Sequence, residues 1–104
     1  MAGRPLEFHP QAEMEYLAAL AWYQQRSSTA ALRFESALAQ AISTIRDAPH
    51  RWPTYLAGCR RYTLHQFPFI VVYSTLATHT VVLAIAHGHR RPGYWIDRVG
   101  FLQK

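Results

Sequence analysis

The chain reads as an α+β fold. A helical hairpin lies on one face of a mainly antiparallel four-stranded sheet, in the order β-α-α-β-β-β. Three observations predict it. Apolar residues recur at helical intervals through residues 10–48, and the pattern then changes to short β-branched runs. The connections are short, so neighbours in sequence pair in space. Helices that precede a strand meander segregate to one side of the sheet.

Each element follows from its own residues. Residues 4–9 alternate, with Leu6 and Phe8 on one face and Glu7 and His9 on the other, which predicts a short half-buried strand. Pro10 suits the first turn of a helix, where its missing N–H costs nothing. Met14, Leu17, Ala18 and Ala21 then recur at helical spacing and are expected to face the core, with Glu13 and Glu15 in the early turns favoured by the helix dipole. The helix is expected to end near Gln25. Ser27, Ser28 and Thr29 are cap candidates for a second helix. Its apolar face is Ala31, Phe34, Leu38, Ala41, Ile42 and Ile45, and Pro49 ends it. The short link makes the pair an antiparallel hairpin.

Residues 49–58, with two prolines and a glycine, form a loop. Arg60 to Leu64 reads as a strand. Phe69–Ser74 is almost wholly apolar and β-branched, as is Thr80–Ala86, and both suit central strands covered on both faces. Turns fall at Pro68 and at Leu76–His79. One or two helical turns are expected between Tyr94 and Val99.

The length of 104 residues is that of one domain, 1–104, and half of the residues are hydrophobic against 16% charged, which excludes a disordered tail. The net charge of +5 is unevenly spread. Residues 1–48 carry four arginines against five acids, net −1, whereas residues 49–104 carry six arginines and Lys104 against Asp97, net +6. Arginine favours bidentate contacts with carboxylate or phosphate, so an acidic partner is expected. Cys59 is the only cysteine, which excludes an intrachain disulfide and suits a reducing, cytoplasmic setting. No apolar run reaches the length of a membrane span, and MAGRPLEFHP has no signal-peptide core.

The segment His87-Gly88-His89-Arg90-Arg91-Pro92-Gly93-Tyr94-Trp95 leaves the end of a buried strand and combines two imidazoles, two guanidiniums and two large aromatics. Arginine binds anions, and tyrosine and tryptophan stack or anchor an interface. For Trp95 core packing weighs more than recognition; for Arg90 and Arg91 binding weighs more than solvation. Arg60 and Arg61 form a second cluster. Adjacent strand residues point to opposite faces, so at most one of them meets a given ligand, and blocking of an edge strand is an equal alternative. His87 and His89 lack the further ligands that a metal site needs, so no metal and no cofactor is expected. Cys59 has no motif around it, though Arg60 and Arg61 beside it can lower its pKa. Tyr16, Trp22 and Tyr23 on the first helix suit packing or a protein contact.

Together, AEMEYLAALAWYQQRSSTAALRFESALAQAISTIRDAP, GCRRYTLHQFPFIVVY and VVLAIAHGHRRPGYWIDR resemble the RelE/ParE superfamily of toxins from bacterial type II toxin–antitoxin modules, also known as plasmid-stabilisation proteins. The resemblance spans nearly the whole chain. It implies a small basic toxin neutralised by a cognate antitoxin whose acidic, partly disordered segment folds on it. It implies no DNA binding of the chain's own to a specific sequence, since the antitoxin normally carries that role. RelE-like members cut mRNA on the ribosome; ParE-like members block DNA gyrase. The ribonuclease branch sets a basic residue in the central strand, and Ile70 stands there in this sequence. Isoleucine cannot stabilise a phosphorane. The resemblance therefore implies a gyrase inhibitor of the ParE-like branch, acting through Arg60, Arg61, Arg90, Arg91, Tyr94, Trp95 and Arg98. The alternatives are a ribosome-dependent endoribonuclease using His87, Arg90 and Tyr94, and a degenerate member without toxicity.

Overall fold

The computed structural model describes residues 5–103. Strand β1 (Leu6–Phe8) leads into helices α1 (Pro10–Gln24) and α2 (Ser28–Asp47). Strands β2 (Arg60–Thr63), β3 (Phe69–Thr75) and β4 (Thr80–His87) follow, and after them a 3-10 helix at Ile96–Gln103. The sheet order is β1-β4-β3-β2. β1 pairs with β4 in parallel, and the other two pairings are antiparallel. This is the α+β arrangement expected from the sequence.

β1 is shorter than the alternation suggested. Arg4 lies outside the described residues. His9 is drawn out of the strand because its Nδ1 accepts the Gln11 amide at 3.0 Å and caps α1. Ser27 caps α2 in the same manner, its Oγ accepting the Ala30 amide at 3.1 Å.

The apolar face of α2 packs as its spacing predicts. Ala31, Phe34, Leu38, Ala41 and Ile45 are buried, and the larger side chains contribute roughly 1.5–3 kcal/mol each. α1 corrects the sequence reading. Met14, Leu17, Ala18 and Ala21 face outward, Met14 being 69% and Leu17 53% exposed. The buried side carries Ala12, with Tyr16, Ala19, Leu20 and Tyr23 packed on the core. Apolar residues sit on both sides of this helix, and the aromatic side wins. Tyr16 and Tyr23 meet Phe34 with ring centroids 6.0 and 5.0 Å apart, and Phe34 in turn meets Phe67 and Phe69.

The sheet is covered on both faces. One face carries the helical hairpin over Val71, Tyr73, Val82 and Ile85. The other carries the C-terminal segment, with Trp95 over Val72, Leu83, Ala84 and Ala86, and Val99, Phe101 and Leu102 packed against the same cluster. The β3–β4 register shifts between Val72, opposite Ala84, and Tyr73, opposite Val82, so Leu83 is an extra residue. This bulge reverses which residues of β4 aim their backbone groups at β3. Since β1 reaches only to Val82, the edge of β4 beyond it has no strand neighbour among the described residues.

Candidate functional site

Arg60 and Arg61 point to opposite faces of β2, as strand alternation requires. Arg60 donates to the Trp52 carbonyl at 2.6 Å and lies beside Tyr73 on the hairpin side. Arg61 lies over the Tyr55 ring, 5.4 Å from its centroid, on the other face. Ala57 and Gly58 fold the loop before β2 with φ of 55° and 75°, and the Tyr55 amide donates to the Cys59 carbonyl at 2.7 Å. That left-handed turn brings Tyr55 against the Trp95 cluster. Cys59 is fully buried, and burial pushes its thiol up, against the lowering expected from its arginine neighbours.

The turn after β4 is held by backbone bonds. Gly88 donates to the Pro68 carbonyl at 2.8 Å and Arg90 to the His87 carbonyl at 3.0 Å. His87 and His89 stack, with centroids 4.9 Å apart, and the His89 amide donates to His87 Nδ1 at 3.0 Å. One ring nitrogen of the candidate base is therefore already engaged. The Arg90 guanidinium lies 3.8 Å from the Tyr94 ring centroid. Both Arg90 and Arg91 are exposed.

Glu15, on the inner side of α1, organises the rest. Its Oε1 accepts the Ile85 amide and Arg98 Nη1, both at 3.0 Å. Its Oε2 accepts Arg98 Nη2 at 2.9 Å and the Tyr94 hydroxyl at 2.8 Å. Arg98 Nη1 also donates to the Leu83 carbonyl at 3.0 Å. Two side chains thus satisfy the edge of β4 that lies beyond the reach of β1. Burial pushes the Tyr94 hydroxyl up, and the bond to Glu15 and its charge push it further against the opposing effect of Arg98 and Arg90. Burial alone lowers Arg98, but the bonds to Glu15 and its charge outweigh that and hold it raised.

The structure divides the residues expected to form one functional surface. Arg61, Arg90 and Arg91 lie toward the face covered by Tyr55 and the C-terminal segment. Tyr94 wraps the edge of β4. Trp95 is 1% exposed and belongs to the core. The Arg98 side chain is 11% exposed and committed to Glu15, and Arg60 lies on the hairpin side. Trp95 and Arg98 therefore leave the expected surface, because one fills the space over the sheet and the other neutralises a buried carboxylate.

Two hollows lie near this region. A depression of about 110 Å³ is bounded by Tyr55, Ile70, His87, Arg90, Arg91 and Trp95. A larger cavity of about 430 Å³ opens between α1 and the end of β4, against Ala18, Trp22, Tyr23, Phe69, Ile85 and Tyr94. Glu15 was read from the sequence only as a dipole-favoured residue. The signal available was its place at helical spacing between Ala12 and Ala19, a carboxylate among small inward residues. Among the described residues no cluster of three or more potential metal ligands occurs, and no helix is long and apolar enough to cross a membrane.

Residues 6–92 match the family described as the ParE toxin of the type II toxin–antitoxin system, parDE. Among solved structures, the chromosomal ParDE toxin–antitoxin system from P. aeruginosa is similar with a TM-score of 0.71 at 17% identity, covering 81% of this chain and 95% of that one. A mutant of the E. coli toxin RelE in the free state is similar with a TM-score of 0.57 at 16% identity, covering 84% of this chain and 85% of that one. No curated protein matches the sequence significantly.

Proposed function

We propose, since the chain belongs to the ParE toxin family of type II toxin–antitoxin systems, that it poisons DNA gyrase by binding it and is neutralised by a cognate acidic antitoxin in the cytoplasm. Residues 1–104 act as one toxin domain. The exposed Arg90 and Arg91, with the half-buried Arg61, supply the attraction for an acidic partner.

The observation that carries the choice of binding over RNA cleavage is the state of the sheet face that holds Ile70. Ile70 packs with the cluster around Trp95, so the sheet face presents an apolar side chain where RNA cleavage needs a cation. Of the residues a ribonuclease would use, Tyr94 and one ring nitrogen of His87 are also engaged. The Tyr94 hydroxyl donates to Glu15 and is held protonated by burial, which removes it as a general base. β3 contributes no cation to a developing phosphorane.

A supercoiling assay with purified gyrase tests this reading, with inhibition expected at micromolar toxin and relieved by antitoxin. Unimpaired supercoiling, with codon-positioned mRNA 5′ ends appearing after induction, would establish the endoribonuclease instead. Unchanged growth on expression without antitoxin would establish a non-toxic member.

A further inference from the structure

We propose that the outer face of α1 is a self-association surface, on which a second copy of the chain lays its own α1 antiparallel, about a two-fold axis between Ala18 and Ala21.

α1 is apolar on both sides, and a helix that is apolar all round is normally a buried one. Its inner side packs on the core beneath α2 and the sheet. Its outer side carries Met14, Leu17 and Trp22, which are 69%, 53% and 51% exposed, together with the exposed Ala18 and Ala21. Three of the six large apolar side chains exposed among the described residues therefore share one helix. By contrast, α2 turns Arg33, Ser36 and Gln40 to solvent. No charge interrupts the outer face of α1 from Met14 to Gln25. Glu15 is turned to Arg98, Tyr94 and the Ile85 amide, and Glu13 and Arg26 stand at the two ends.

Charge selects a second copy as the occupant. Residues 49–104 are net +6, so two copies repel wherever those halves meet, whereas residues 1–48 are net −1. A contact through α1 joins two copies at the half without net positive charge. A charged partner finds no opposite charge on the face itself, and a neutral apolar face is what another α1 supplies. The antiparallel sense follows from the ends. A two-fold axis between Ala18 and Ala21 sets the two Glu13 about 20 Å apart along the helix axis, and the two Arg26 likewise. That exceeds a Debye length of about 10 Å, whereas parallel helices set each charge against its like. Alanines at the crossing let the axes approach to about 8 Å. The same axis is isologous, so Leu17 of one copy faces Leu17 of the other.

Sedimentation velocity of the full chain, from low to high micromolar concentration, tests this. A face one helix long lies at the small end of specific interfaces, so a reversible monomer–dimer equilibrium is expected in that range, with concentration-dependent NMR shifts at Met14, Leu17, Ala18 and Ala21. Raising salt from about 0.05 to about 0.5 M leaves the equilibrium unchanged or tightens it, because what is screened is the repulsion between the basic halves. Leu17→Glu and Leu17→Lys alter an exposed position, keep the fold by circular dichroism, and each weakens association by about tenfold or more. An equimolar mixture of the two recovers it as a heterodimer. Leu17→Gln, which adds no charge, weakens association in the same direction and stands in if either charged variant does not fold. Leu32→Glu, at an exposed position on α2, leaves it unchanged. A chain that stays monomeric throughout overturns the proposal and leaves the face to a different protein. So does a dimer that weakens about tenfold as salt rises, a dimer that the Leu17 variants retain, shifts confined to other residues, or a mixture that associates no better than either variant alone.

Discussion

Glu15→Ala is the substitution with the most to lose. The carboxylate accepts four hydrogen bonds, two from Arg98, one from Tyr94 and one from the Ile85 amide. The ion-paired side chains are 11% and 17% exposed, so solvent replaces little of what is removed. Alanine leaves a partly buried guanidinium without its counter-charge, a hydroxyl without an acceptor and a strand-edge amide without a partner. Breaking a buried pair from one side costs about 3–5 kcal/mol. Water entering from the adjoining cavity reduces this, so about 3 kcal/mol is expected at the lower end of that range. For a domain of this size that is a fall in Tm of roughly 12–24 °C. Urea denaturation followed by circular dichroism measures it directly. The double variant Glu15→Ala with Arg98→Met removes both charges and is expected to recover about 1–2 kcal/mol, because the unpaired guanidinium has gone. A loss below about 1 kcal/mol in the single variant would reduce the clamp to the worth of a surface ion pair and refute the reasoning. So would a double variant as unstable as the sum of the two single changes.

Tyr73 is fully buried and its hydroxyl donates to the Pro49 carbonyl at 2.6 Å. Burial pushes it from 10 up to about 12, against a lowering by Arg60. The folded state therefore favours the protonated phenol, whose contribution is full below pH 10 and is lost as pH rises through about 12. Tyr73→Phe is expected to lose about 1 kcal/mol at neutral pH and to flatten this alkaline decline, read by urea denaturation across that range. Ile70→Arg restores the cation of the ribonuclease branch, yet it sets a guanidinium among the apolar groups around Trp95 and beside Arg90 and Arg91. A loss of about 1–3 kcal/mol is expected, with no RNA cleavage; cleavage by this variant would show that the sheet face admits RNA. Cys59 is 0% exposed with its thiol pushed up, so a chromogenic disulfide reagent is expected to react only as fast as the protein opens, and rapid labelling of native protein would contradict the packing.

What the sequence made legible was whatever one local period could carry. α2 announces its buried face because Phe34, Leu38 and Ile45 share one side and Arg33, Glu35 and Gln40 avoid it. α1 hides its face because Met14 and Leu17 compete with Tyr16 and Tyr23 for the core, and the contest is settled by Phe34, Phe67 and Phe69, which belong to other elements. The arginines were visible as charge, but their directions were not. Nothing local to Arg98 reveals that its counter-charge is Glu15, 83 residues earlier. The same separation concealed Glu15, and with it the reason that Tyr94 points across the edge of β4. The size of Trp95 favours packing over recognition, and the side chain is 1% exposed over the sheet.

The parallel pairing of β1 with β4 bears on how the molecule is made. Leu6 lies opposite Thr80, so β1 emerges during synthesis well before β4, the strand it pairs with. The Glu15–Arg98 bond closes later still. The hairpin can form early from local contacts, but its aromatic side stays wet until β3 and β4 arrive, and closure across such separations is slow. A nascent chain therefore gains neither its sealed sheet edge nor the covering of the second sheet face until residues 80–102 have emerged. Emergence of β4 and of Arg98, rather than of the hairpin, sets the moment at which a free copy becomes competent to meet any partner.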